Sequence, residues 1–126
     1  MLVLDSDGVT RLAERSGRAA ALISAFRRQG LWPPVVPSPV LVECLTGDGS
    51  RDAAQRRFLR ACEVVETLPA ASAARAAWLR SAAGRGSAVD AIVAAAAEFG
   101  GTVVTGDAAD IRALAEYATD VTVELI

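Results

Sequence analysis

The stretch Ser87-Ala88-Val89-Asp90-Ala91-Ile92-Val93-Ala94-Ala95-Ala96, continued by Gly100-Gly101-Thr102-Val103-Val104-Thr105-Gly106-Asp107, carries the fold in miniature. Ser87 opens a helix whose residues Val89, Ile92, Val93 and Ala96 share one side, and the glycine pair ends it. Thr102 to Thr105 is an apolar strand that runs through Gly106 into Asp107, where a helix to Tyr117 begins, and Val121 to Leu125 is a last strand. Helix, strand, helix, strand without a hairpin turn between any two strands is the pattern of a parallel sheet with helical crossovers.

The same alternation extends upstream. Leu2-Val3-Leu4 reads as a short strand ending at Asp5, followed by helical sequence in which Ala19, Leu22, Ile23 and Phe26 keep helical spacing. Arg27 and Arg28 close that helix, as the helix dipole favours, and Gly30 stops it. The prolines between Leu31 and Pro37 allow at most a short or edge strand. Ser38-Pro39 starts a helix to about Thr46, and Gly47 to Ser50 is a turn. Ser50 is expected to cap a helix burying Ala54, Phe58, Ala61 and Cys62. The valines of Glu63 to Leu68 read as a strand, and Pro69 opens an Ala-rich helix to about Ala83. The expectation is one domain, residues 1–126, a three-layer α/β/α sandwich with a mostly parallel central sheet, as suits a chain in the usual range of roughly 100–150 residues per domain.

Composition removes whole classes of chemistry. Every one of the 13 basic residues is arginine, and there is no histidine. Without histidine there is no Ser-His or Cys-His pair and no imidazole zinc site. Without lysine there is no Schiff base and no phosphate-loop lysine. Carboxylates, hydroxyls and arginine remain, so an enzyme of this composition points to hard-cation chemistry. Cys44 and Cys62 form no Cys-x-x-Cys pair and read as reduced core residues, which fits a cytoplasmic protein. No apolar run approaches the roughly 20 residues of a membrane span.

Four acids stand out. Asp5 and Asp107 end strands, while Glu43 and Asp90 interrupt apolar helical stretches, where an acid is unfavourable unless it finds a partner or a cation. A shared divalent ion would let all four stay ionised together. Each also has a plainer reading. Asp90 can complete a capping box with Ser87, Asp107 can cap a helix backed by Asp110, Asp5 or Asp7 can cap the first helix, and Glu43 can be a solvated position.

Taken in order, Asp5 after the first strand, Glu43 in its apolar helix, the Ser87–Ala96 block and Val103-Val104-Thr105-Gly106-Asp107-Ala108-Ala109-Asp110 resemble the acidic blocks of PIN-domain nucleases, and the size and layout resemble VapC-like toxins of type II toxin–antitoxin systems. The likeness covers essentially the whole chain. It implies a PIN-like fold and a Mg2+- or Mn2+-dependent endoribonuclease in which Asp5, Glu43, Asp90 and Asp107 are the catalytic, metal-holding quartet. Ser6 and Thr105 match supporting polar positions, with Asp7 and Asp110 as additional acids of open role. It also implies an RNA substrate, a cognate antitoxin seated near the first helices, and a homodimer. Asp7, Gly106 and Ile111 depart from the usual residues of that family.

Leu2-Val3-Leu4-Asp5-Ser6-Asp7-Gly8-Val9 also resembles the first motif of haloacid-dehalogenase-like phosphatases, which implies Asp5 as nucleophile and Asp7 as acid and base. That reading gives Glu43 and Asp90 no role and lacks the family's lysine. A receiver domain fails on the same lysine, and a non-catalytic binding module is the third alternative. The net charge of −2 argues against nucleic acid until the quartet is set apart, which leaves 13 arginines against 11 acids. Arginines at 11, 15 and 18, and at 51, 56, 57 and 60, are either phosphate contacts or solvated helix faces, and Arg85 is the arginine expected to touch RNA. Trp32 and Trp78 read as packing residues.

Overall fold

A strand covered on both faces needs an uninterrupted apolar run, and Leu2, Val3 and Leu4 are each fully buried. They form β1, the middle strand of the sheet. The computed structural model describes all residues, Met1–Ile126. The order along the chain is β1 (Leu2–Leu4), α1 (Ser6–Ala13), α2 (Gly17–Arg28), β2 (Val35–Pro37), α3 (Val40–Cys44), α4 (Ala53–Leu59), β3 (Glu63–Val65), α5 (Ala70–Ala83), α6 (Ala88–Ala96), β4 (Gly101–Thr105), α7 (Ala108–Ala115) and β5 (Val121–Leu125).

The strands lie in the order β3-β2-β1-β4-β5 and every pairing is parallel. Helices α1, α3 and α4 pack together on one face, and α5, α6 and α7 on the other. The α/β/α expectation therefore holds, with an all-parallel sheet. The main core joins β1, β2 and β4 to α1, α2 and α6 through residues such as Leu4, Val9, Phe26, Val36, Val93 and Val104. A smaller cluster of Ala76, Leu79, Ala91, Ala94 and Leu114 locks α5, α6 and α7 together.

Connections leave β1 and β4 in opposite directions along the sheet, so the crevice of an open α/β sheet falls at the carboxyl ends of these two neighbours. Leu4 is level with Val104, which brings Asp5 and Thr105 side by side at that edge. Close approach of α1 to β4 depends on Gly8, where an added Cβ would lie 2.5 Å from the Val104 carbonyl oxygen.

Several sequence expectations need correction. The proline-flanked strand is short, as expected, but β2 is interior and the edges are β3 and β5. Pro37 is tolerated because it is the strand's last residue. Ser50 does not cap α4. It bonds to Asp48 Oδ1, and the helix starts after Asp52, whose carboxylate turns back to accept from Thr46 N, Thr46 Oγ1 and Gly47 N at 2.8–3.0 Å. Because α4 ends at Leu59, that residue takes the buried position and Ala61 is exposed in the turn to β3. The strand expected over Glu63 to Leu68 stops at Val65, and the helix from Pro39 shortens to Val40–Cys44. Trp32 packs edge-on against Phe58, whereas Trp78 is 53% exposed beneath the Arg75 guanidinium. Both cysteines are free, and burial pushes the Cys62 thiol up to about 12. No helix is long and apolar enough to cross a membrane.

Candidate active site

Asp5 sits where β1 hands over to α1. It is the N-cap of α1, its Oδ1 accepts from Gly8 N at 2.7 Å, and only 7% of the residue is exposed. Burial drives its pKa from 3.8 to about 6. The Thr105 hydroxyl and the Gly8 amide oppose that rise, and the negative charges of Asp7 and Asp90 add to it. Glu43, on α3, is more exposed, and its carboxyl is raised by partial burial and by the charges of Asp90 and Asp7. The charges of Asp7 and Asp90 thus act on both Asp5 and Glu43.

Asp90 completes the capping box of α6: Asp90 N donates to Ser87 Oγ at 3.0 Å and Ser87 N to Asp90 Oδ2 at 2.9 Å. The plainer reading of this acid is therefore correct as structure, and it leaves Oδ1 without a hydrogen bond. Asp107 caps α7 through Ala109 N, is exposed, and is not among the charges that raise Asp5 or Glu43. Its backbone is tied to fully buried Thr105, whose hydroxyl donates to the Asp107 carbonyl oxygen at 3.0 Å and accepts from Asp107 N at 3.1 Å. Asp110 is held by Arg85, Nε to Oδ1 at 2.7 Å. Ser6 is half-buried at the first residue of α1.

Of the expected quartet, Asp90 acts on both Asp5 and Glu43, Asp7 acts on the same two, and Asp107 stands two residues past Thr105, the neighbour of Asp5 across the pairing of β1 with β4. No three of these acids stand close enough together to form a ready-made set of ligands. The sequence signal for Asp7 was its position two residues after Asp5 at a helix start. The donor chemistry, all carboxylate and hydroxyl oxygen, suits a hard divalent cation, and a positive ion here would offset the burial and the smaller repulsion from Asp7 and Asp90 that hold Asp5 and Glu43 up. The edge is open. The largest cavity, about 510 Å³, lies away from it between β2, β3, α5 and α6, lined by residues such as Leu68, Ile92 and Phe99.

No protein-family model matches the chain, and no curated protein sequence matches it. Among solved structures, a chain of VapBC2 from Rickettsia felis, crystallised bound to a DNA fragment from its promoter, superposes with a TM-score of 0.70 at 13% identity, covering 100% of this chain and 99% of that one. A chain of FitAcB from Neisseria gonorrhoeae gives 0.63 at 20% identity, covering 98% and 96%. The fold is PIN-like. Identities this low establish a fold and nothing finer, so the sequence resemblance to VapC-like PIN ribonucleases is corrected to a likeness of fold, without family membership.

Proposed function

We propose that this PIN-like chain is a divalent-metal-dependent endoribonuclease, with Mg2+ or Mn2+ as cofactor, acting as the toxin of a toxin–antitoxin pair. The observation that carries the reading is that the charge of Asp90 acts on both Asp5 and Glu43 at the switch point of the sheet, with Asp5 buried and held up to about 6. Likeness over nearly the full chain to structures of toxin–antitoxin complexes supports it.

Asp5, Glu43 and Asp90 would hold the ion, with Asp107 entering through its exposed carboxylate. When bound, the ion supplies an activated water and neutralises charge on the scissile phosphate. Each residue has a separate task. The Gly8 amide fixes one oxygen of Asp5, and Ser87 fixes one oxygen of Asp90, so each carboxylate presents its other oxygen in a set orientation. Thr105 holds the Asp107 backbone, and through it the start of α7. Glu43, with a raised affinity for protons and the greatest exposure of the three, is the group suited to take a proton at an Oε atom. No histidine is needed. A cognate antitoxin and a homodimer belong to the same proposal.

The test is cleavage of RNA by the purified chain in Mg2+ or Mn2+. Asp5→Asn and Asp90→Asn should each lower the rate by at least about a hundredfold, in line with loss of a charge-stabilising group, while the circular dichroism spectrum is unchanged. Full cleavage by Asp90→Asn overturns the assignment. Release of phosphate from a small phosphomonoester that vanishes in Asp7→Asn would move the chain to the phosphatases instead.

A further inference from the structure

Gly106 follows the last residue of β4 and leaves a slot at the acidic edge. A Cβ built there would fall on Arg11 Nε, with Arg11 Cδ 3.2 Å and Asp7 Cβ 3.0 Å away. Arg11, in the last turn of α1, therefore lays its side chain across Gly106, between Asp7 and the strand end that leads to Asp107. Only two ion pairs form in the chain, Arg75 with Glu98 and Arg85 with Asp110, and Arg11 belongs to neither. Its guanidinium makes no hydrogen bond to any protein acceptor, and the residue is exposed.

We propose that Arg11 is a substrate-positioning residue that binds a phosphate of the RNA strand next to the acidic centre, and that Gly106 is required to keep it there. The inference rests on the ribonuclease reading. A guanidinium presents a planar fork of donors that matches phosphate oxygens two at a time. At an edge dominated by carboxylates, a cation without a carboxylate partner is the group able to draw the substrate backbone in against their repulsion. The other rim arginine, Arg85, is already engaged by Asp110. An alanine at 106 would meet first the far end of the exposed Arg11 side chain, which can give way, and then Asp7 Cβ at 3.0 Å, which must shift by a few tenths of an ångström, so it would displace Arg11 from the slot.

The experiment is binding of a single-stranded RNA oligonucleotide of mixed sequence, followed by fluorescence anisotropy over a range of salt. It is done with the wild-type chain as the parent, in chelator so that the strand stays intact. Adding Arg11→Ala should weaken binding about tenfold at low salt, the scale of one charge-assisted contact. It should also make the slope of log K against log salt shallower by about 0.7, the loss of one phosphate contact on a single strand. Arg11→Lys should keep the slope while losing part of the affinity. Gly106→Ala should weaken binding alone and add nothing once Arg11 is alanine. An unchanged affinity and slope in Arg11→Ala overturns the proposal, as does a Gly106→Ala effect that persists in full without Arg11. A parent that binds no RNA overturns the ribonuclease reading and this inference with it, whereas failure confined to Arg11 leaves that reading standing.

Discussion

Asp5 is a conflict resolved by its neighbours. Capping α1 and ending a fully buried strand both place its carboxyl out of water, and the nearby acids make its ionisation harder still. In the unfolded chain it titrates near 3.8 and in the metal-free fold near 6. Below the lower value both states hold the proton and Asp5 is neutral in its effect on stability. Above about 6 both are ionised and the fold carries the whole penalty. Stability of the metal-free protein should therefore fall as pH rises from about 4 to about 6, by up to roughly 3 kcal/mol at 1.36 kcal/mol per pKa unit. Asp5→Asn keeps an oxygen for Gly8 N and removes the charge. In urea unfolding with chelator at pH 7.5 it should exceed the wild type in stability, and the gap should close near pH 4. Equal stabilities across that range would show that Asp5 bears no such penalty.

At the scale of elements, signals that lie within a few residues of one another are enough to specify the C-terminal half of the sheet. Ser87 and Asp90 lie three residues apart, glycines follow the helix, and the strand after them is apolar, so α6, β4 and α7 emerge within a residue or two of their observed bounds. The failures involve partners far along the chain or chosen among rival caps. Nothing near Ser50 announces that Asp52 will reach back to Thr46 and Gly47, yet those bonds decide where α4 begins and hold its carboxyl below the usual range. Likewise Asp107 and Asp7 both stand at helix starts beside strand ends, and spacing alone does not announce that the charge of Asp7 acts on Asp5 and Glu43. The capping box makes a testable link between element and site. Ser87→Ala should cost about 1 kcal/mol in chemical denaturation. It should leave RNA cleavage unchanged at a temperature where the variant is fully folded, because the Asp90 carboxylate is held by the Ser87 backbone N–H, which alanine keeps, and only the bond from Asp90 N to the hydroxyl is lost. A fall in cleavage by the fully folded variant would show that the hydroxyl itself serves the site.

For the molecule as a whole, the topology places its like charges together. Strand order reverses between β1 and β4, where Asp5 leaves the sheet within the field of Asp90, whose charge also acts on Glu43, while 13 arginines are spread over a chain whose net charge is −2. On the proposed function, a divalent cation that binds the folded chain alone must stabilise it by mass action. At a free Mn2+ concentration of about 100 times the dissociation constant the gain is roughly 2.7 kcal/mol. The gain should grow between pH 5 and 7, since protons and the ion compete for Asp5, whose pKa is about 6. Replacing Asp5, Glu43 and Asp90 together by their amides should raise the stability of the metal-free chain and abolish the response to Mn2+. Thermal unfolding of both proteins in Mn2+ and in chelator, at pH 5 and pH 7, measures all of these differences. If the triple variant still gains as much from Mn2+ as the wild type, the ion binds elsewhere and the carboxylate edge is not its site.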